Sequence, residues 1–552
     1  MNTTNPAGQL KRKGIKFYLL LTCLLMTVSA SAQQFLKTQG QDIVNEKGEK
    51  VHLKGVGLGN WMLPEGYMWR FGKDGDRPRR IEKLVSDMIG EAEAADFWKS
   101  YRANYITEAD IQRIAELGYN SVRPALNSRL FVTEGENNEF IDEGFLLLDQ
   151  LIGWCKKYNL YVIIDMHGAP GGQTGQNIDD SPNDIPELFT VAKNQDLLEE
   201  LWVRIAKRYK NEPTVAAYDL LNEPLPENTG AADKYKSQLV PLYNRLIKAI
   251  RKVDQKHMFT IEGYNWANNW SLFDEPLDDN TFYQFHYYCW DRPDNLKSID
   301  NFLKKQDELN VPVWVGETGE KGNTIYFGTA QYFEKNNIGW SFWPWKKMDT
   351  NNTPYSINPP AGWEQVRAFS EGGEKPLKEL ASRIFQELNE NIKLKNCVYY
   401  PDVVNAMMQR IPLKLEAENY GHDGINKSYF VKDAAFKSET YRKEEPVPVF
   451  VINNDEKSRS SEQAIQLQEG EWTVYHVDCL QNVAYHLQLK VKAIGGNSEV
   501  ELMVNGKKNQ LILKAESWME KDFGKQIFKQ GDNELKLTVK SGQSEIDWIN
   551  IY

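Results

Sequence analysis

The sequence predicts an α/β protein: a (β/α)8 TIM barrel at residues 33–410, followed by a β-sandwich at residues 411–552. Three observations predict this. Short apolar or β-branched runs alternate eight times with longer amphipathic segments, which is typical of a barrel of parallel strands and helices. No glycine-rich phosphate loop opens the alternation, as it usually does in a doubly wound sheet. After about residue 411 helical periodicity fades and strand-like alternation takes over.

The eight runs interpreted as barrel strands are 51–58, 120–124, 161–166, 217–221, 259–261, 282–287, 311–315 and 338–342. Helices are expected between them, at 107–117, 145–157 and 196–209. Thr107 is the expected N-cap of the first of these, with Asp110 three residues further on. Residues 376–410 are expected to form the last barrel helix and a connector, with Pro376 suited to a first helical turn.

The C-terminal part shows four alternating runs, at 472–477, 484–491, 499–504 and 534–539. Turns rich in Gly, Asn and Asp separate the runs, as in Val504-Asn505-Gly506. This pattern predicts a β-sandwich of about 140 residues.

The first 32 residues predict a signal peptide. Lys11, Arg12, Lys13 and Lys16 precede an apolar run at 17–28, and Ala30-Ser31-Ala32 gives a cleavage site after Ala32. We therefore expect a secreted, periplasmic or cell-surface protein with no transmembrane span after signal removal; an uncleaved N-terminal anchor is the alternative. The net charge of -11 argues against a nucleic-acid partner, because such proteins usually carry a basic face.

Four cysteines remain after the expected cleavage. They show no C-x-x-C spacing, which argues against a zinc site, and buried free thiols are expected rather than a disulfide scaffold. These residues are Cys155, Cys289, Cys397 and Cys479.

Polar residues follow most of the predicted strands, at the end of a barrel where active sites lie. Two of them are glutamates, Glu223 after the fourth strand and Glu317 after the seventh. Hydrolysis of a glycosidic bond with retention needs two carboxyl groups about 5–5.5 Å apart, one protonated and one ionised. Strands four and seven can present these glutamates across the mouth. Asn222 is placed to bond a sugar 2-hydroxyl, and Arg123 and Tyr288 to hold Glu317 ionised.

The motifs around these residues resemble glycoside hydrolase family 5, a family of retaining β-glycosidases of clan A with a TIM barrel. They are Leu221-Asn222-Glu223-Pro224 and Trp314-Val-Gly-Glu317-Thr-Gly319. Further segments, from Lys54 to Trp61, Leu117 to Pro124, Asp165 to Gln173 and Gly339 to Lys346, are similar to the same family, the last two to its exo-β-1,3-glucanases.

The resemblance implies a role for each residue. Glu223 would be the acid/base and Glu317 the nucleophile. Trp343 would be the stacking platform for the sugar, with Trp345 as the alternative, and Glu65 would bind glucose hydroxyls. The residues expected to line the subsite at the cleaved bond are Arg123, His167, Asn222, His286 and Tyr288.

The C-terminal part resembles carbohydrate-binding module families 6 and 35 at both of its ends, Leu415-Glu416-Ala-Glu418-Asn-Tyr420 and Ile546-Asp547-Trp-Ile549. The resemblance implies a structural Ca²⁺ held by Glu416, Glu418 and Asp547, whose hard oxygen ligands suit that ion. A solvated strand edge that binds no metal, and a sandwich that binds no sugar, are the alternatives. No cofactor is expected for catalysis.

The leading functional prediction is a retaining hydrolase of polysaccharide or oligosaccharide β-glucan, exo- or endo-acting, with β-1,3 or β-1,6 linkages favoured. One alternative keeps this chemistry but acts on β-1,4-glucan, mannan or a glucosylated lipid. A second alternative is a non-catalytic surface protein that binds glycans; the presence of both glutamates disfavours it.

Overall fold

The computed structural model describes residues 33–288, 296–320, 322–438, 441–455, 460–514 and 517–552. The predicted signal peptide and Cys289 lie outside these residues. Cys155 and Cys479 are buried and free and Cys397 is half-buried and free, which agrees with the expectation of free thiols. Within the described ranges, every helix is too short or too polar to cross a membrane.

Eight parallel strands close into a barrel, in chain order around the ring, so the predicted TIM barrel is confirmed. Each predicted run overlaps one strand, with ends shifted by a few residues. The strands are β1 Lys54–Leu58, β2 Ser121–Asn127, β3 Tyr161–Gly168, β4 Val215–Asp219, β5 Met258–Glu262, β6 Thr281–Tyr287, β7 Val313–Gly319 and β8 Gly339–Trp343.

Helices connect and surround these strands. Thr107 precedes α3 as its N-cap, and its backbone N–H donates to the Asp110 carboxylate at 2.9 Å, as predicted. The helices are α1 Pro78–Ile89, α2 Glu91–Tyr105, α3 Glu108–Glu116, α4 Glu143–Lys157, α5 Ala192–Tyr209, α6 Ala231–Tyr235, α7 Leu239–Arg251, α8 Asp300–Leu309, α9 Asn323–Lys335, α10 Trp363–Ser370, α11 Lys378–Asn391 and α12 Pro401–Met407.

Short strands lie outside the barrel. Lys37–Gln39 and Asp42–Val44 form an antiparallel hairpin that precedes β1. Three more form a small sheet after β8; they are Lys346–Met348, Tyr355–Ile357 and Val398–Tyr399.

The C-terminal part is a separate antiparallel β domain. Its strands are β9 Leu413–Glu416, β10 Tyr429–Phe430, β11 Val449–Asp455, β12 Ser460–Gln468, β13 Trp472–Cys479, β14 Val483–Val504, β15 Lys507–Leu513, β16 Met519–Phe528 and β17 Gly531–Ile551. The predicted turn at Asn505-Gly506 joins β14 to β15; both residues have positive φ, 48° and 86°, as a two-residue hairpin turn requires.

One detail of the strand prediction was wrong. The runs 484–491 and 499–504 belong to a single long strand, β14, rather than to two strands. Gly495 and Gly496 lie between the runs with φ of 68° and 137°, so the chain bends there while its pairing with β17 continues on both sides. Glycine is typical of the turns expected between the runs, but it also allows a bend within a strand.

The β domain packs directly on the barrel. Asn419 of the β domain donates to the carbonyl of Thr324 in α9 at 3.1 Å. At Gly328 in α9 an added Cβ would lie 2.7 Å from the Tyr441 hydroxyl oxygen, so the two surfaces are in close contact. Helix α9 follows β7, the strand that carries Glu317.

Candidate active site

The carboxyl ends of the barrel strands bring the predicted polar residues together. Every one of them lies on or directly after a strand, except Glu65, which lies in the segment after β1. The positions are Arg123 on β2, His167 on β3, Asn222 and Glu223 after β4, His286 on β6, Tyr288 after β6, Glu317 on β7 and Trp343 on β8.

Glu223 and Glu317 face each other across the mouth. One oxygen of each carboxylate lies within 4.8 Å of the other and of a ring nitrogen of His286. His286 Nδ1 is 2.7 Å from Oε1 of Glu223 and 3.6 Å from Oε2 of Glu317. The separation is that of a double displacement at one anomeric carbon, and it is too short for the water of an inverting mechanism.

Glu317 accepts two strong hydrogen bonds. The Arg123 Nη1 donates to its Oε1 at 2.6 Å, and the Tyr288 hydroxyl donates to its Oε2 at 2.6 Å. Hydrogen bonds from charged or acidic donors to a carboxylate are short and strong and fix its direction. The two donors therefore hold the Glu317 carboxylate in one orientation.

Arg123 is fully buried and connects several residues of the site. Besides Glu317 it donates to Asp219 from Nε and to the side-chain oxygen of Asn222 from Nη2, both at 2.8 Å. It also lies 3.3 Å from Asp165. A guanidinium offers five N–H donors in a planar fork, so one residue can orient the end of β4 and the carboxylate on β7 together.

The two histidines of the site lie among carboxylates. Burial lowers the pKa of His167, but Asp165, whose Oδ2 lies 2.8 Å from Nδ1, together with Glu317 and Glu65 raises the pKa to about 9. Burial lowers the pKa of His286 in the same way, and the carboxylates of Glu262, Glu317 and Glu223 raise it well above its usual value. The neighbouring carboxylates therefore favour the cationic form of both rings, which partly offsets the negative charge of the mouth.

Glu65 is 2% exposed, and burial raises the pKa of its carboxyl well above the usual range. Its Oε1 is buried without a hydrogen-bond partner among the described residues. A buried, unpaired carboxyl oxygen is costly unless a ligand satisfies it. The geometry thus fits the predicted role of Glu65 in binding a sugar hydroxyl.

Trp343 is 2% exposed and its ring lies parallel to that of His167, with 5.1 Å between centroids. An added Cβ at Gly57 or Gly59 would lie 2.2 or 2.5 Å from ring atoms of Trp343, so these two glycines allow the close approach of this ring. Trp345 lies elsewhere, with its indole N–H donating to Asp110 at the base of α3. Of the two tryptophans, Trp343 is the one at the mouth.

A polar wall beside Trp343 was missed by the sequence reasoning. The Trp343 indole donates to the Tyr67 hydroxyl at 3.0 Å, and that hydroxyl donates to Glu320 at 3.2 Å. Lys347 in turn donates to Glu320 at 2.6 Å. Tyr67 lies in a short helical turn between β1 and α1, where no apolar run points to it. Glu320 lies one residue after β7, so the search for polar residues directly after each strand (the strand-end rule) could have identified it.

Two buried acids of the site were also missed. Glu262 is the last residue of β5 and Asp219 the last of β4; both are fully buried, and burial raises the pKa of each. The strand-end rule, applied to the run 259–261, would have found Glu262 as its next residue. Asp219 was hidden because it lies inside the apolar run 217–221.

The predicted calcium ligands lie in the β domain and are buried, and Glu418 Oε2 lacks a hydrogen-bond partner among the described residues. Burial raises the pKa of Glu418, and neighbouring Glu416 raises it further. Lys490 lies 2.7 Å from Asp547, and Lys414 lies 3.2 Å from Glu416. In the described part of the chain, the one group with three acidic or histidine ligand atoms within 4.8 Å of one another is Glu223, His286 and Glu317.

Known proteins match the barrel. Residues 89–349 match the family described as cellulase (glycosyl hydrolase family 5). A β-xylosidase of Phanerodontia chrysosporium is 27% identical over 362 residues, which cover 58% of this chain and 74% of that protein.

Two further relatives are glucan-degrading by name. Endoglucanase C of Acetivibrio thermocellus is 32% identical over 194 residues, which cover 35% of this chain and 53%, about half, of that enzyme. A probable glucan 1,3-β-glucosidase A of Aspergillus fumigatus is 24% identical over 377 residues, which cover 58% of this chain and 86% of that protein.

The family match spans β2 to β8 and includes every strand-end residue of the site. The fold, the family match and the glycosidase relatives agree on one class of protein. The barrel of this chain matches glycoside hydrolase family 5 over residues 89–349, and the protein is a glycosidase.

Proposed function

We propose that the protein is a secreted, retaining β-glycosidase that cleaves β-glucan by double displacement, with Glu317 as nucleophile and Glu223 as acid/base. The observation that carries the proposal is the pair of carboxylates with oxygens within 4.8 Å of each other, each oriented by different partners. Arg123 and Tyr288 donate to Glu317, whereas Glu223 contacts His286.

In the first step, Glu317 attacks the anomeric carbon while Glu223 gives its proton to the leaving oxygen, and the bond to the aglycone breaks. A covalent glycosyl ester on Glu317 results. In the second step, Glu223, now ionised, takes a proton from water, and the water oxygen displaces Glu317. The anomeric configuration is retained because it is inverted twice.

The other residues of the mouth bind the sugar. The amide of Asn222, fixed by Arg123, is positioned to bond the 2-hydroxyl of the sugar at the cleaved bond. Glu65 offers an unpaired buried oxygen to a further hydroxyl, and the ring of Trp343 forms part of the floor. We propose glucose as this sugar and β-1,3 or β-1,6 as the linkage, in line with the resemblance of the 165–173 and 339–346 segments to exo-β-1,3-glucanases.

A panel of substrates tests the linkage. Purified protein would be incubated with laminarin, pustulan, carboxymethylcellulose, mannan and xylan, and the products sized over time. We expect glucose or short oligosaccharides from laminarin or pustulan. If sugars were released only from carboxymethylcellulose, mannan or xylan, the proposed β-1,3 or β-1,6 specificity would be wrong. The enzyme would then use the same double displacement on a different polysaccharide.

The stereochemistry is tested separately by NMR of the first product. A first product with the β configuration is expected, and an α product would refute double displacement. In addition, a 2-fluoroglucoside with a good leaving group should label Glu317, which mass spectrometry of the peptide would locate. A label on another residue would refute the assignment of the nucleophile.

For the β domain we propose glycan binding and one structural Ca²⁺ held by Glu416, Glu418 and Asp547. The buried Oε2 of Glu418, which has no hydrogen-bond partner among the described residues, supports the metal, since a hard cation would satisfy it. Calcium should raise the melting temperature of chelator-treated wild type but not of Glu418→Gln, and an equal effect on both proteins would refute this site. Binding to insoluble glucan tests the glycan binding. We expect the wild type to be retained and protein lacking residues 411–552 not to be retained.

A further inference from the structure

We infer that Glu262 is a positioning residue for the acid/base, because its one carboxylate holds both the main chain of Glu223 and the histidine that contacts the Glu223 side chain. The inference rests on the proposed role of Glu223. It extends the catalytic machinery to β5, a strand on which neither the sequence motifs nor the mechanism places a residue.

Glu262 reaches Glu223 by two routes. Its Oε2 accepts the backbone N–H of Glu223 at 2.5 Å. Its Oε1 lies 3.3 Å from Nε2 of His286, whose Nδ1 lies 2.7 Å from Oε1 of Glu223. The three residues therefore form a closed ring of contacts, and the Glu262 side chain is fully buried within it.

The first route matters because the main chain at Glu223 is unusual. Glu223 has φ of 44° and Leu225 has φ of 51°, in the left-handed region that residues other than glycine rarely occupy. Such a conformation persists only where the surroundings hold it. Leu225 donates its N–H to the carbonyl of Gln173, but at Glu223 itself the acceptor is Glu262. Without it, a buried N–H would lose its partner.

The second route fixes the histidine. The carboxylate of Glu262 lies 3.3 Å from Nε2 of His286 as an ion pair, without the alignment of a hydrogen bond. Its negative charge on that side of the ring favours the orientation in which Nδ1 faces Glu223. The charged groups that face His286 are Glu262, Glu223 and Glu317. Removing Glu262 would leave the His286 ring and the Glu223 backbone free to move, and these two together orient the Glu223 carboxyl.

A misplaced acid has a kinetic signature that a general structural defect lacks. Protonation of the leaving oxygen is essential for a poor leaving group such as phenol and hardly matters for 2,4-dinitrophenol. A variant with a displaced acid should therefore lose activity selectively on the phenyl β-glucoside. It should also let azide compete with water in the second step, since the base that activates water is no longer in place.

The experiment compares the wild type with Glu262→Ala, Glu262→Gln, Glu223→Ala and Asp219→Asn on phenyl and 2,4-dinitrophenyl β-glucosides, with and without sodium azide. We expect Glu262→Ala to lose about 100-fold in kcat/KM on the phenyl glucoside, the effect of moving a catalytic group by about 1 Å. On the dinitrophenyl glucoside its loss should be at least ten times smaller. Azide should yield glucosyl azide from Glu262→Ala, as from Glu223→Ala.

Two variants serve as controls. Glu262→Gln keeps an oxygen that can accept the Glu223 N–H, so it should recover much of the lost phenyl activity. Asp219 is an equally buried acid that contacts Arg123 at 2.8 Å and acts on the nucleophile side, so Asp219→Asn should lower both activities alike and yield no azide product.

Equal losses on the two glucosides in Glu262→Ala, or no azide product from it, would overturn the inference. If circular dichroism shows that Glu262→Ala does not fold, Glu262→Asp replaces it. This variant keeps the charge but withdraws it by one methylene. It should likewise lose at least ten times more activity on the phenyl glucoside than on the dinitrophenyl glucoside. A failure of the proposed function would appear elsewhere: in a wild type inactive on both glucosides, or in Glu223→Ala without azide product.

Discussion

The Nη1 atom of Arg123 lies 2.6 Å from Oε1 of Glu317, and both side chains are almost completely buried. The same guanidinium donates to Asp219 and Asn222, so it ties the end of β4 to the carboxylate on β7. A lysine has the charge but not the planar fork, and it cannot make these three contacts at once.

Arg123→Lys should therefore fold but lose about 100-fold or more in kcat/KM, because both the carboxylate and the amide that binds the 2-hydroxyl shift. Turnover of an aryl β-glucoside checks this. The matched control is Arg129→Lys, since Arg129 pairs with Asp180 and Glu82 rather than with residues of the mouth. Equal activity of the two variants would contradict the account of Arg123.

The contact of Gly57 with Trp343 gives a second prediction. A Cβ at residue 57 would lie 2.2 Å from Cε3 of the indole, so Gly57→Ala must displace the ring that forms part of the sugar-binding floor. Overpacking of this kind destabilises proteins by about 1–3 kcal/mol. We expect a lower free energy of unfolding and a higher KM, measured by urea unfolding and by steady-state kinetics.

Gly153→Ala is the control for that prediction. Gly153 lies on an exposed face of α4, where an added Cβ meets no atom within 4 Å. Alanine in place of glycine within a helix stabilises by about 0.5–1 kcal/mol. The two substitutions should thus shift the free energy of unfolding in opposite directions. A stable, fully active Gly57→Ala would show that Trp343 has room to move.

The fold and the two glutamates could be predicted because each depends on local patterns. Eight apolar runs identified eight strands, and parallel strands end at one mouth, so Glu223 and Glu317 had to meet. Tyr67 and Lys347 could not be found in this way, since they reach the mouth from segments whose path is set by tertiary packing. The bend at Gly495 and Gly496 was missed for a similar reason: glycine permits a turn or a bend, and only pairing with β17 decides between them.

Close packing between the β domain and α9 leads to a prediction about truncation. Deleting residues 411–552 removes the partners of Thr324 and Gly328 on α9, the helix that follows the Glu317 strand. We expect the shortened barrel to melt roughly 2–3 °C or more below the full chain, which corresponds to a loss of about 2 kcal/mol for a barrel of this size. Differential scanning calorimetry checks this, and an unchanged melting temperature would show that the two domains are energetically independent.

The charged histidine beside Asp165 makes stability depend on pH. The pKa of His167 is raised from 6.5 to about 9, so its ionised form is favoured by the folded state. This contribution is fully present below about pH 6.5, falls as the pH rises, and is lost above about pH 9. A shift of this size corresponds to about 3 kcal/mol.

Urea unfolding of the wild type and of Asp165→Asn, each at pH 6.5 and pH 9.5, measures this contribution. Asp165 is the chief cause that raises the pKa of His167, so without its charge burial should dominate and the ring should become neutral. We expect the wild type to lose more stability than Asp165→Asn between the two pH values, with a difference of about 3 kcal/mol or less. The neighbouring acids and His286 titrate in both proteins, so comparing the two removes most of their effect. An equal loss in both proteins would mean that His167 is not charged by Asp165, and the mouth would then have one positive charge fewer to offset its carboxylates.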